Sequence, residues 1–135
     1  MTQFDPDYDP RHNPHKIHRG FKRIIMATGH SLDGVRYAVQ EESAFRQELF
    51  LALLMAPWAF IIDFDHLERL LLLGSIVLVL IMELLNSGIE AAIDRISFEH
   101  HSLSKRAKDY GSAAVLLALV LCGFTWVTLL YPHLS

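Results

Sequence analysis

Three apolar segments constrain the fold of this 135-residue chain more than any other feature. Residues 70–93 and 113–131 are each long enough to cross a bilayer as a single helix, which needs about 20 residues at a rise of roughly 1.5 Å per residue. Residues 49–62 form an uncharged run that reaches full length only if the preceding helix continues into it. Hydrophobic residues make up 52% of the chain, and its one cysteine cannot form an intrachain disulfide. We therefore predict an all-α membrane protein with three transmembrane helices.

The segments before the first span complete this predicted architecture. Residues 1–20 are rich in Asp, Pro, His and Arg, a composition that predicts a disordered polar tail. Residues 21–47 mix apolar and charged side chains, as an N-terminal amphipathic helix on a membrane surface does, and Gly29 and Gly34 are positions at which it could be divided. The predicted membrane domain is residues 21–135, in which this surface helix precedes spans at about residues 48–62, 68–93 and 111–131.

Lys and Arg are distributed unevenly between the predicted loops. Seven precede the first span, one lies in the first loop, four lie in the second loop and none follows the third span. By the positive-inside rule, the N-terminus and the second loop face the cytoplasm, whereas the first loop and the C-terminus face outward. The net charge of −3 and the lack of a clustered basic surface argue against a nucleic-acid partner.

A polar stripe interrupts the second span. Glu83, Asn86, Glu90 and Asp94 are spaced at i, i+3, i+7 and i+11, so on a helix they share one narrow face about 16 Å long. A carboxylate near the membrane centre costs about 2.5–3.5 kcal/mol, which is hard to retain without a partner or a role. The stripe predicts a metal or proton site. For Asp94 a plain alternative is a surface ion pair with a nearby basic residue, Arg95 or Lys105.

Two other polar segments could complete such a site. Lys108, Asp109 and Ser112 precede the third span and offer a cation, an acid and a hydroxyl that could hold a phosphate with its metal, although a basic anchor for lipid headgroups is the other interpretation. Glu41 and Glu42, near the start of the first span, could supply a third carboxylate. Mg²⁺ suits this chemistry because it binds one or two carboxylates together with substrate phosphates. The sequence contains no Walker-type, dinucleotide-binding or protein-kinase motif, so nucleotide use would need a different scaffold.

Three segments of the sequence resemble the small prokaryotic diacylglycerol kinases. They are AFRQE at residues 44–48, ELLNSGIEAAIDR at residues 83–95 and AKDYGSAA at residues 107–114. The resemblance covers residues 21–135 and implies a homotrimer of three-span subunits in the bacterial inner membrane. It also implies an activity, the transfer of the γ-phosphate of ATP, with Mg²⁺, to the hydroxyl of diacylglycerol to form phosphatidic acid.

The resemblance further implies roles for individual residues. Glu83 matches the catalytic base for the lipid hydroxyl, and Glu42 and Glu90 match the ligands of the divalent ion that accompanies ATP. The positions that match ATP contacts are Arg23, His30, Glu42, Glu90, Glu99, His101, Lys108 and Asp109. The positions that match lipid contacts or the lining of the site are Arg23, Ser31, Arg46, Gln47, Glu48, Arg69, Glu83, Asn86 and Ser112.

Two other functions stay open from the sequence. Similar proteins phosphorylate the polyprenol undecaprenol on the same scaffold, which would change the acceptor and keep the chemistry. A non-catalytic or proton-conducting membrane subunit would use the polar stripe as a proton relay and would turn over no ATP.

Overall fold

The computed structural model describes residues 21–96 and 101–134, in which every regular element is a helix. The helices are α1 (Phe21–Glu41), α2 (Ser43–Met55), α3 (Trp58–Ile61), α4 (His66–Ile96) and α5 (Ser102–Leu134). Three stretches are long and apolar enough to cross a membrane: Ser43–Ile61, which joins α2 and α3, then α4 and α5. The predicted all-α membrane fold with three such helices after an N-terminal helix is confirmed. The predicted tail of residues 1–20 and Glu99 lie outside the described residues.

The predicted surface helix of residues 21–47 is divided at Glu42. This residue has an extended backbone (φ −98°, ψ 113°) and precedes the first turn of α2. The guanidinium of Arg46 donates from Nη1 to the carbonyls of Val39 (3.2 Å) and Gln40 (3.1 Å), which the end of α1 leaves without helical partners. No Gly or Pro marks this break, which is why local sequence signals do not predict it. The two positions at which the sequence allows a division, Gly29 and Gly34, both lie within α1. The chain also divides after Gly34 into two compact units.

The first loop is held together by its own polar groups. Asp65 and Glu68 form a capping box at the start of α4: the Glu68 N–H donates to Asp65 Oδ1 (2.8 Å), and the Asp65 N–H donates to Glu68 Oε2 (2.9 Å). Arg69 donates from Nε to the carbonyl of Ala59 (2.8 Å) and from Nη2 to that of Phe64 (3.0 Å). These bonds fix the connection from α3 into α4.

Helices α4 and α5 form an antiparallel pair whose register is fixed by polar contacts in an apolar interface. The Trp126 indole donates to the carbonyl of Leu72 (3.3 Å), and the Ser75 hydroxyl lies 3.5 Å from the sulfur of Cys122. All four side chains are buried. Because the same antiparallel register continues along both helices, it brings the polar stripe of α4 against the first turns of α5.

Candidate active site

Glu83 is the buried acid at the centre of the site. The core-facing residues of α4 follow the spacing i, i+4, i+7 and i+11 through Leu72, Ile76, Val79 and Glu83, so the carboxylate continues the stripe that packs against the rest of the chain. Its side chain is only 4% exposed. The periodicity of α4 therefore places an ionisable group where an apolar residue would otherwise lie.

Three other carboxylates surround Glu83. The charges of Glu42 and Glu90 act on Glu83, and the charge of Glu83 acts on Glu48. Glu42 lies at the break before α2, Glu48 lies in α2, and Glu83 and Glu90 lie in α4. We call these four residues the acid cluster. Among the residues that the structure describes, none of the four takes part in a salt bridge.

The acid cluster contains hydrogen-bonding capacity that the described side chains do not use. Oε2 of Glu48 and Oδ1 of the neighbouring Asn86 are buried without a hydrogen-bond partner. Burial of a polar atom without a partner is unfavourable, and burial of like charges without a counter-ion more so. The site is therefore suited to a ligand that brings positive charge and hydrogen-bond donors.

The first turns of α5 supply the nearest cation. Lys108 Nζ lies 2.6 Å from Asp94 Oδ1, and its charge also acts on Glu90. The polar stripe thus ends in an ion pair that joins α4 to α5. The partner of Asp94 is therefore Lys108, and not Arg95 or Lys105. Lys105 instead pairs with Asp109, one helical turn later.

Asn86 connects the acid cluster to α5 in a second way. Its Nδ2 donates to Oε1 of Glu90 at 3.3 Å. Its Oδ1 lies against Gly111, which is buried on α5. Sequence reasoning did not single out Gly111, because its significance depends on the contact between two helices and not on the motif around it.

The other predicted site residues lie in several places. Gln47 and Ser112 are exposed and follow Arg46 and Gly111, respectively, in the sequence, and Arg46 donates hydrogen bonds to the end of α1. His101 accepts a hydrogen bond at Nδ1 from the N–H of Leu103 (3.2 Å) and so caps the start of α5. Exposed positions within residues 21–34 of α1 hold Arg23, His30 and Ser31.

Arg69 is a predicted site residue that the structure does not bring to the acid cluster. It precedes Glu83 by fourteen residues on the same helix, a separation of about 21 Å along the axis. Its guanidinium is occupied by carbonyls of the first loop. The assignment of Arg69 to the site therefore has no support from its position.

The carboxylates of the acid cluster are suited to a metal ion that is also bound by the phosphates of a substrate. Within residues 21–96 and 101–134, no three His, Cys, Asp or Glu side chains converge as a complete protein cage. Mg²⁺ does not need such a cage, because it usually takes one or two carboxylates and completes its octahedron with phosphate oxygens and water. Glu42 and Glu90, both close enough to act on Glu83, provide that number of hard oxygen ligands.

The known proteins that this chain resembles belong to one family. The chain matches the family model described as prokaryotic diacylglycerol kinase over residues 29–130. The diacylglycerol kinase of Escherichia coli is 51% identical over 117 residues, which cover 84% of this chain and 93% of the relative. The enzymes of the same name from Pseudomonas aeruginosa (49% over 118 residues; 87% and 96% covered) and Haemophilus influenzae (43% over 112 residues; 83% and 95% covered) are also similar. The chain therefore belongs to the prokaryotic diacylglycerol kinase family.

Proposed function

We propose that this protein is an ATP-dependent lipid kinase that converts diacylglycerol to phosphatidic acid. The observation that carries the proposal is the buried carboxylate of Glu83 in a helix able to cross a membrane, where a lipid alcohol can approach it. The similar proteins from three bacteria are each named diacylglycerol kinase, which supports the same acceptor.

Glu83 acts as the general base. In the reaction, the lipid hydroxyl oxygen forms a bond to the γ-phosphorus of ATP, the bond from that phosphorus to the bridging oxygen breaks, and ADP leaves. The hydroxyl proton moves to the carboxylate of Glu83. Among the described residues Glu83 has no salt-bridge partner, so its carboxylate is available to accept this proton.

The other three acids of the cluster serve different substrates, one the acceptor lipid and two the ATP with its metal. Oε2 of Glu48, buried and unpartnered beside Glu83, accepts a hydrogen bond from the acceptor lipid and so orients its hydroxyl. Glu42 and Glu90 hold the Mg²⁺ that accompanies ATP, which supplies neutralising charge on the phosphates. Lys108, which pairs with Asp94 and is within range of the charge of Glu90, adds positive charge on the side of the site toward α5.

Further residues are assigned to ATP by their match to the family. Arg23 and His30, seven residues apart on one face of α1, provide cationic or hydrogen-bonding groups for ATP. His101, Asp109 and Glu99 belong to the same group by their match to the family. The match to the family likewise assigns Ser31, Gln47 and Ser112 to the acceptor lipid.

The cellular setting is part of the proposal. By the positive-inside rule, the distribution of Lys and Arg supports a cytoplasmic N-terminus and second loop, so that the acid cluster would meet cytoplasmic ATP. Residence in the bacterial inner membrane as a homotrimer is inferred from membership of the family. The buried acids of a three-helix subunit support only the weaker inference that neighbouring subunits shield them.

A comparison of acceptors tests the function. Purified protein in mixed micelles is given ATP labelled in the γ-phosphate, with diacylglycerol and undecaprenol offered separately. We expect labelled phosphatidic acid and little labelled polyprenol phosphate. Label on undecaprenol alone would reject diacylglycerol as the acceptor, and no lipid label from a folded protein would reject the kinase activity altogether.

A further inference from the structure

Gly111 has a role at the site that its lack of a side chain makes possible. We propose that Gly111 is a positioning residue, which lets the amide of Asn86 lie between α4 and α5 with its NH₂ group directed at Glu90. In this way it fixes the carboxylate of Glu90 for the metal that accompanies the nucleotide. The inference rests on the proposed function for the role of Glu90, whereas the contact between Gly111 and Asn86 is independent of it.

The space at Gly111 is filled by Asn86. A Cβ atom added at position 111 would collide with Oδ1 of Asn86, and it would lie 3.2 Å from Cγ and 3.5 Å from Cα of the same residue. Gly111 is itself buried, whereas Tyr110 and Ser112 beside it are exposed. Among the glycines in the described part of the chain it is the one so confined, because a Cβ meets nothing within 4 Å at Gly29, Gly34, Gly74, Gly88 or Gly123.

The amide of Asn86 transmits this contact to Glu90. The amide group is planar and rigid, so its oxygen, which faces Gly111, and its nitrogen, which donates to Glu90 Oε1 at 3.3 Å, rotate together. Movement of the oxygen away from a new methyl group at position 111 therefore breaks the bond to Glu90. The alternative relief, separation of α5 from α4, is opposed by the buried contacts of Trp126 with Leu72 and of Cys122 with Ser75 farther along the interface.

The test compares Gly111→Ala with a matched control, Gly123→Ala, on the same helix. The measured quantity is the affinity for Mn²⁺ in the presence of a non-hydrolysable ATP analogue, followed by electron paramagnetic resonance, which requires no turnover and no acceptor lipid. We expect Gly111→Ala to weaken metal affinity about tenfold, the equivalent of roughly 1.4 kcal/mol. Gly123→Ala should stay within about twofold of the wild type, because its methyl group enters open space. An unchanged affinity in a folded Gly111→Ala protein would overturn the proposal.

A second comparison, made in a protein that carries Asn86→Ala, distinguishes a positioning role of Gly111 from general damage to packing. Asn86→Ala removes both the colliding oxygen and the donor to Glu90, and it should lower metal affinity by itself. The addition of Gly111→Ala to Asn86→Ala should then cause no further loss, whereas an equal loss in both backgrounds would refute a role through Asn86. If Gly111→Ala alone does not fold, the double variant should fold, since the collision is gone; a double variant that also fails to fold contradicts the proposal.

The same set of single and double variants distinguishes this inference from the proposed function. A wild-type protein that binds no Mn²⁺ with the ATP analogue and forms no phosphatidic acid would refute the kinase assignment and, with it, the role at Glu90. Measurements of thermal stability then test the contact between Gly111 and Asn86 by itself. Gly111→Ala should lower Tm in the wild-type background and leave it unchanged with Asn86→Ala, and equal shifts in the two backgrounds would refute the contact.

Discussion

Replacement of Glu83 by Gln removes a negative charge and a proton acceptor while it keeps the size of a side chain that is only 4% exposed. General-base catalysis contributes about 10²- to 10⁴-fold to a rate. We expect kcat to fall about 10²-fold or more, which corresponds to about 2.7 kcal/mol of transition-state stabilisation. The loss should lie toward the lower end of this range, because Glu48 is close enough to interact with Glu83 and offers a second carboxylate.

The same substitution should not weaken the fold. Glu83 lies among the charges of three other acids, with no salt bridge to any of the four in the described residues, so a neutral side chain relieves repulsion. We therefore expect Tm to be equal to or above that of the wild type while turnover falls. Low activity caused by misfolding would instead lower both quantities.

The assay is γ-phosphate transfer to diacylglycerol, with Tm measured on the same preparations. Glu41→Gln is the matched control, because Glu41 is an exposed acid at the end of α1 that lies outside the acid cluster, and it should keep activity within about twofold of the wild type. A Glu83→Gln protein that kept more than half of the wild-type kcat would refute the assignment of Glu83 as the base.

Three further substitutions test other parts of the account. Lys108→Met removes the cation that pairs with Asp94, and we expect the KM for ATP, measured at saturating diacylglycerol, to rise several-fold with a smaller change in the KM for lipid. Arg46→Lys cannot reproduce the guanidinium contacts with two carbonyls at the end of α1, so amide hydrogen exchange within residues 38–46 should become faster, whereas exchange in α5 should not change. Trp126→Phe removes the indole N–H that donates to Leu72 and should lower the free energy of unfolding by about 1 kcal/mol while activity is retained, because the bond lies far from the acid cluster.

The parts of the fold and site that depend on one helix could be predicted from the sequence. Apolar length alone identifies α4 and α5, and the spacing of Glu83, Asn86 and Glu90 places them on one face regardless of what packs against it. The separation of Arg69 from Glu83 along α4 could also have been calculated before the structure was known, and it argues against a shared site on one subunit.

The parts that depend on contacts between helices could not be predicted in the same way. The approach of Asn86 to Gly111 requires the register of α4 against α5, which no local pattern specifies. The break at Glu42 is set by a long side chain, Arg46, that reaches back to carbonyls six and seven residues earlier, and not by a helix-breaking residue. The acid cluster itself combines residues from two helices and the connection before them, so its membership follows from packing.

The most direct test of the central claim is the ratio of phosphatidic acid formed to ATP consumed by the purified protein with diacylglycerol and Mg²⁺. Direct transfer of the γ-phosphate to the lipid hydroxyl predicts one phosphatidic acid for each ATP consumed and negligible ATP consumption when diacylglycerol is omitted. ATP consumption without an equal yield of phosphatidic acid, or no consumption by a folded protein, would contradict the account.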